Sequence, residues 1–337
     1  MIILKIIDLI YKRERENFSE YAFLTENTKG RDFPVTPQSI RTEFQRDRDR
    51  IIHSNSFRRL THKTQVFLDP EGDHYRTRLT HTLEVTQIGR SISRALRLNE
   101  DLTEAACLGH DLGHTPFGHA GEKVLNRVYP KGFRHNEQSL RVVEKLEKNF
   151  QGLNLTVEVR DAILHHTGDV PAETLEGKVI KFADRIAYIN HDIDDALRAK
   201  ILKFEDLPRD LIKILGKTSG ERINTMVNGI ITESEGKNDI KMRKDILEAT
   251  EKLRDFLFAN VYDNSVAKIE EKKVEFMLEQ MYNYFVKNYN MLPTEYKTII
   301  NSDGVERAVC DYIAGMTDRY SISEYSKIFV PKTWKEE

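Results

Sequence analysis

His81, His110, Asp111 and Asp184 carry the clearest chemical signal in the chain. His110 and Asp111 are adjacent, at the expected close of a helix and inside the string GHDLGHTPFGHAGE at 109–122. His81 belongs to the helix before them, and Asp184 to a long helix downstream. Two imidazoles and two carboxylates form a mixed nitrogen and oxygen donor set suited to a divalent cation. Mn, Fe, Co or Ni in octahedral geometry fits such a set, with positions left for water or phosphate. Zinc fits less well because it usually takes four ligands. A solvated polar face with satisfied core histidines accounts for any one of these residues alone, so the ordered set is what points to a metal. All eleven histidines fall between His53 and His191, which confines the chemistry to that window.

Helices must position these groups, because helical periodicity dominates the sequence. Leu175, Val179, Phe182, Ile186, Ile189, Ile193 and Leu197 form one apolar stripe and predict a long helix over 175–197. Asp184 lies off that stripe, and Tyr188, His191, Asp192 and Asp195 follow it on a second, polar face. Leu83, Ile88, Ile92, Ala95 and Leu96 predict a helix over 80–98, with His81 sharing the inward face of Val85 and Ile88. Asp101 is a candidate cap for a helix reaching about 112, Pro116 suits the first turn of another, and Thr156 caps a helix ending near His166. Amphipathic stretches follow at 205–216, 220–233, 241–260, 265–289 and 304–319. Strand signals are sparse: Thr64–Leu68 and His74–Thr77, joined by an Asp-Pro-Glu-Gly-Asp turn, read as a short hairpin. The expected fold is all-α, a helical bundle with additional C-terminal helices and at most a short β-hairpin near 64–77.

The order His81…His110-Asp111…Asp184 resembles the HD-domain metal phosphohydrolases. Longer strings narrow the resemblance: FQRDRDRIIHS at 44–54, FRRLTHKTQVF at 57–67, HYRTRLTHTLEV at 74–85, HDLGHTPFGHAGE at 110–122, AILHHTG at 162–168, KFADRIAYINHDIDDA at 181–196 and YIAGMTDRY at 312–320. Together they are similar to the deoxyguanosine triphosphate triphosphohydrolase-like branch, from about residue 26 to residue 330. The resemblance implies an N-terminal segment over 1–52, an HD metal-phosphohydrolase core over 53–200 and a C-terminal helical region over 201–337.

It also implies a reaction: water attack at the α-phosphorus of a deoxynucleoside triphosphate, releasing the deoxynucleoside and intact triphosphate. It assigns His81, His110, Asp111 and Asp184 to one divalent ion, either Mn, Mg, Fe, Co or Ni. Arg78, three residues before His81, then reaches the α-phosphate beside the metal, and Arg185 and Tyr188 hold the outer phosphates, since a planar guanidinium suits phosphate oxygens. His119 is the catalytic histidine and Glu122, one helical turn on, orients it. A bound cation lowers the pKa of water enough to supply a nucleophile at neutral pH. Whether His119 acts as the acid or helps activate the water stays open. His114 and His135 are phosphate contacts or capping histidines, and Gln65 with Asp192 clamps the sugar 3′ hydroxyl.

Composition bounds the alternatives. The 337 residues carry 52 Lys plus Arg against 54 Asp plus Glu, a formal charge of −2, so no global field marks a nucleic-acid or membrane-surface protein. Two cysteines, Cys107 and Cys310, exclude a disulfide framework and fit a reducing cytoplasm. The apolar start MIILKIIDLI is too short to span a bilayer and reads as an amphipathic helix docked on the body or on another subunit. Interleaved Arg46-Asp47-Arg48-Asp49-Arg50 reads as a salt-bridge network, and Met316–Tyr320 as a pocket wall or a packed helix end. The resemblance implies a homo-oligomer, hexameric or tetrameric, and relatives that bind single-stranded DNA. Two other readings compete. His135 with His165 and His166 completes a two-metal phosphodiesterase or nucleotidase site, or the chain is a non-catalytic nucleotide- or DNA-binding protein.

Overall fold

The computed structural model describes residues 4–36, 38–65, 76–262 and 265–332. Among them every regular element is helical, and the only β pairing is an isolated antiparallel bridge between Thr64 and Thr77. The hairpin expected between those two threonines falls on 66–75, outside the described residues. Helix α1 (Leu4–Asn17) precedes α2 (Glu43–Ile52), α3 (Arg78–Ala95), α4 (Glu100–Gly109) and α5 (Gly118–Val128). Then come α6 (His135–Arg141), α7 (Val157–Leu164), α8 (Leu175–Arg198), α9 (Ser219–Ser234), α10 (Lys244–Leu257), α11 (Ser265–Lys287), α12 (Val305–Ala314) and α13 (Asp318–Phe329), besides further helical segments of seven residues or fewer.

Two apolar clusters organise the chain. The larger joins α2, α3, α4, α7, α8, α9 and α10, with Val85, Ile88 and Ile92 of α3 packed among Leu102, Cys107, Val179, Ala183 and Ile186. Gly89 lets α3 approach α4 closely, since a β-carbon there would stand 3.0 Å from the Cys107 sulfur. The smaller cluster packs α5 and Phe133 against α11 and α12, through Val124, Leu125, Leu278, Met281, Val309 and Ile313. The helix that carries His119 therefore rests on α11 and α12, while the helices that carry His81 and Asp184 belong to the larger cluster, which α9 and α10 also join.

Several element ends depart from the expected ones. Asn99, not Asp101, caps α4 by accepting the amides of Asp101 and Leu102 (3.2 and 3.3 Å). An acceptor one residue outside the helix reaches its first free amides, whereas Asp101 already lies within the turn. The helix ends at Gly109, so His110 and Asp111 start the loop after it rather than closing it. Pro116 stays outside α5, whose first residue is Gly118. Thr156 precedes α7 but spends its hydroxyl on Asp47, at 2.7 Å. The stretch at 304–319 divides into α12 and α13 at Gly315-Met316-Thr317. In the arginine-aspartate run, Asp47 pairs with Arg31, Arg46 with Glu43 (2.7 Å), Arg48 with Asp49 and Glu104 (2.9 and 3.3 Å), and Asp49 with Arg41 (2.6 Å). Along α1, Ile7 is buried and Ile6 and Leu9 are exposed. Among the described residues no helix is long and apolar enough to cross a membrane.

Candidate metal and phosphate site

Helices α3, α4 and α8 converge so that three of the four residues singled out lie buried at one place, with Asp184 at its edge. His81 Nε2 stands 3.1 Å from Asp184 Oδ1 and 3.9 Å from Asp111 Oδ2, and His110 Nε2 is 3.5 Å from Asp111 Oδ1. His110 Nδ1 bonds the Cys107 carbonyl at 2.6 Å, which places the proton on that nitrogen and leaves a lone pair on Nε2. That Nε2 is buried with no hydrogen-bond partner among the described residues. Ligand atoms of His81, His110 and Asp111 all lie within 4.8 Å of one another. Burial opposes ionisation of Asp111, but His110, His114, Arg78 and His81 outweigh it and hold the carboxyl well below its ordinary range. Burial likewise disfavours a charged His81, and the Asp184 bond overrides it, raising its pKa. His81, His110 and Asp111, with Asp184 beside His81, would hold a divalent cation, so the donor set fits a metal.

Around this centre runs a cleft of about 560 Å³, lined in part by Gln65, Arg78, His81, Asp111, His114 and His119, and further by Lys123, His135, Asp184, Tyr188 and Asp192. Arg78 is buried and donates to Asp111 Oδ2 at 2.7 Å, so it braces the candidate ligand as well as facing the cleft. Gln65 Oε1 is buried without a hydrogen-bond partner among the described residues. His114 and His135 stack at 4.2 Å, and His135 Nε2 stands 3.2 Å from His166 Nε2. Glu122 receives the His135 amide at 2.8 Å and its Nδ1 at 3.0 Å, and lies 3.7 Å from His119 Nδ1. Burial would raise the Glu122 carboxyl, yet the bonds from His119 and His135 hold it far below its ordinary range. In return Glu122 raises His135 against the effect of burial. Burial pushes His114 well below the ordinary imidazole value and His166 down to about 3. His119 itself sits on the rim, with four-fifths of its side chain exposed.

Arg185 turns to an adjoining recess of about 380 Å³ that shares Thr167, Asp184, Tyr188 and Phe258 with the cleft. Lys181 and Arg254 line the same recess. Neither was singled out from the sequence, although Lys181 stands one turn before Asp184 on α8, a spacing that could have marked it; Arg254 comes from α10 and nothing local marks it. His166 joins the cluster; His165 instead pairs with Asp161 at 2.8 Å. Cys107 is a buried core thiol whose pKa burial raises.

The HD domain family matches residues 78–189 and the phosphohydrolase-associated domain matches residues 240–327. The chain is 57% identical over 334 residues to a deoxyguanosinetriphosphate triphosphohydrolase-like protein of Caldanaerobacter subterraneus, covering 99% of this chain and 98% of the relative. A similarly named protein of Clostridium perfringens is 51% identical (98% and 99% covered), and one of Geobacter sulfurreducens is 41% identical (94% and 96% covered). Among solved structures, a phosphohydrolase from Bacteroides thetaiotaomicron shares the fold, with a TM-score of 0.53 at 18% identity, over 83% of this chain and 67% of that one. With both family segments present in order and relatives matched over nearly their whole length, the chain belongs to the deoxyguanosinetriphosphate triphosphohydrolase-like family of HD-domain proteins.

Proposed function

We propose that the protein hydrolyses deoxynucleoside triphosphates, using one divalent metal, to deoxynucleoside and inorganic triphosphate. The observation that carries this reading is a cleft that holds a buried His/Asp donor set and adjoins a recess lined by Lys181, Arg185 and Arg254. A polyphosphate laid along it meets a metal at its first phosphorus and guanidinium or ammonium groups at its tail. The names of the relatives support the same substrate class.

In this reading His81, His110, Asp111 and Asp184 hold the cation. When bound, it neutralises the α-phosphate and lowers the pKa of a water molecule. Arg78, already paired with Asp111, turns its remaining N–H groups to the α-phosphate. His114, whose burial opposes its protonation, lines the phosphate path with His135 stacked on it. Arg185 and Tyr188 face the outer phosphates. Gln65, whose carboxamide oxygen has no partner among the described residues, accepts the sugar 3′ hydroxyl, and Asp192 lines the same cleft. Water adds its oxygen to the α-phosphorus while the bond to the 5′ oxygen breaks. His119, steadied by Glu122, hands a proton to that departing oxygen. The test is turnover of each deoxynucleoside triphosphate with Mn or Mg, resolving tripolyphosphate from pyrophosphate. Tripolyphosphate as the product supports the reading; its absence with every substrate and metal overturns it.

A second reading has its own observation. Asp111, His114 and His135 form another group whose ligand atoms lie within 4.8 Å of one another, sharing Asp111 with the first. Two ions bridged by that carboxylate would suit a phosphodiesterase. Two metals per chain with no tripolyphosphate would favour it over the first reading.

A further inference from the structure

We propose that Asp318, at the start of α13, is a positioning residue that fixes the two loops facing the metal-ligand cluster, and through them sets sugar recognition by Gln65 and the placement of His119. The proposal rests on the deoxynucleotide reading of the cleft. Asp318 does not line that cleft; its side chain is buried between the loops. One carboxylate oxygen accepts the Thr64 amide at 2.9 Å and the Thr64 hydroxyl, and the other accepts the Phe117 amide at 2.9 Å.

Each contact sits next to a residue with a role in the site. Thr64 immediately precedes Gln65 and bridges to Thr77, the residue before Arg78. Phe117 is held in the left-handed region (φ 60°, ψ 28°), which a bulky side chain rarely adopts, and it leads into α5 two residues before His119. Such a conformation persists only where its surroundings hold it, and here the acceptor for its amide comes from Asp318. The two loops touch at Gly118, whose β-carbon position lies 3.1 Å from Arg78 Nη2 and 3.4 Å from the Gln65 carbonyl. Lys63 ties the same parts from the opposite direction: its buried amine donates to the His114 carbonyl and, at 2.8 Å, to the Ala314 carbonyl at the end of α12. The phosphohydrolase-associated segment thus reaches both loops through one carboxylate. Only a group with acceptors alone satisfies all three donors, since an asparagine would turn an N–H₂ toward either Thr64 or Phe117.

The experiment uses the full-length, metal-loaded protein and compares Asp318→Asn and Thr64→Val with Asp311→Asn. Asp311 is an equally buried carboxylate of α12 that accepts from Gln138, Arg141 and Arg307 and touches neither loop. Two readouts are taken: amide hydrogen exchange at Thr64 and Phe117, and the kcat/KM ratio between a deoxynucleoside triphosphate and its 3′-deoxy analogue. Asp318→Asn is expected to speed exchange at both amides, lower kcat at least tenfold and compress the sugar ratio, with metal content unchanged. Asp311→Asn is expected to lower the unfolding temperature without moving the ratio. Protected amides, or an unchanged ratio, in Asp318→Asn overturns the proposal. If Asp318→Asn does not fold, the milder Thr64→Val decides by the same two readouts. If the wild type turns over no deoxynucleotide, the functional reading fails separately and the exchange rates alone decide the brace.

Discussion

At the scale of single residues, the proposed reading separates groups that would bind from groups that would move protons. Asp111 is a ligand candidate in both possible ion clusters and the anchor of Arg78, so Asp111→Ala should abolish metal retention and turnover together, read by metal content after gel filtration and by product assay. His119→Ala should lower kcat about 10²- to 10⁴-fold, the ordinary worth of a positioned acid or base, while metal and substrate stay bound. Near-normal turnover would remove His119 from the mechanism. Glu122 sets a pH effect whose sign is fixed. Because its carboxylate raises the His135 pKa against burial, His135 keeps its proton to higher pH with Glu122 present. In Glu122→Gln that proton leaves at lower pH, and the alkaline limb of kcat/KM should move toward acid. A profile with an unmoved alkaline limb counts against the pairing.

At the scale of elements, the loop after α4 is held by backbone contacts that leave no room for side chains. Gly113 donates its amide to Ser139 Oγ at 2.9 Å, and Ser139 in turn donates to the His110 carbonyl at 2.6 Å, which locks the His-Asp loop onto α6. A β-carbon on Gly113 would lie 2.1 Å from the Ser139 amide nitrogen, which cannot yield without moving α6 and His135. Gly113→Ala should therefore cost about 3 kcal/mol, at the upper end for overpacking, and be seen as a lowered unfolding midpoint. The helices themselves were legible because each buries one apolar stripe, as α8 does from Leu175 to Leu197. Their ends were not, because the caps are settled by whichever side chain reaches the free amides. Asn99 does so at α4, and Thr156 is drawn away by Asp47.

At the scale of the molecule, the candidate cleft is lined from both apolar clusters, and charged contacts join them. Arg141 of α6 binds the fully buried Asp311 of α12 at 2.7 Å and also pairs with Asp303. Arg141→Ala should cost about 3 kcal/mol, since it strips a partner from a buried carboxylate, and denaturant unfolding measures it. Asp303 adds an acid-sensitive part. Burial opposes its ionisation, but Lys145 and Arg141 hold it far below the ordinary aspartate value of 3.8. Its stabilisation is therefore complete above that value and is lost as pH falls below it toward the folded pKa. Asp303→Asn should flatten the acid limb of unfolding temperature against pH; an unchanged limb would show the ion pair to be energetically idle.

The sequence by itself determined the all-α class, the inward placement of His81 and the pairing of His119 with Glu122, because helical spacing alone puts those residues on defined faces. The strings around the His-Asp pair also carried the family. Only the tertiary structure brought Arg254 to the recess of Lys181 and Arg185, put His166 beside His135, and turned Asp318 from a helix end into a link between two loops. These are contacts between groups far apart along the chain, and local spacing carries no information about which helix face meets which. The apolar clusters decide that, by packing α5 onto α11 and α12 and α8 onto α3, and the polar groups then take the partners that packing leaves within reach.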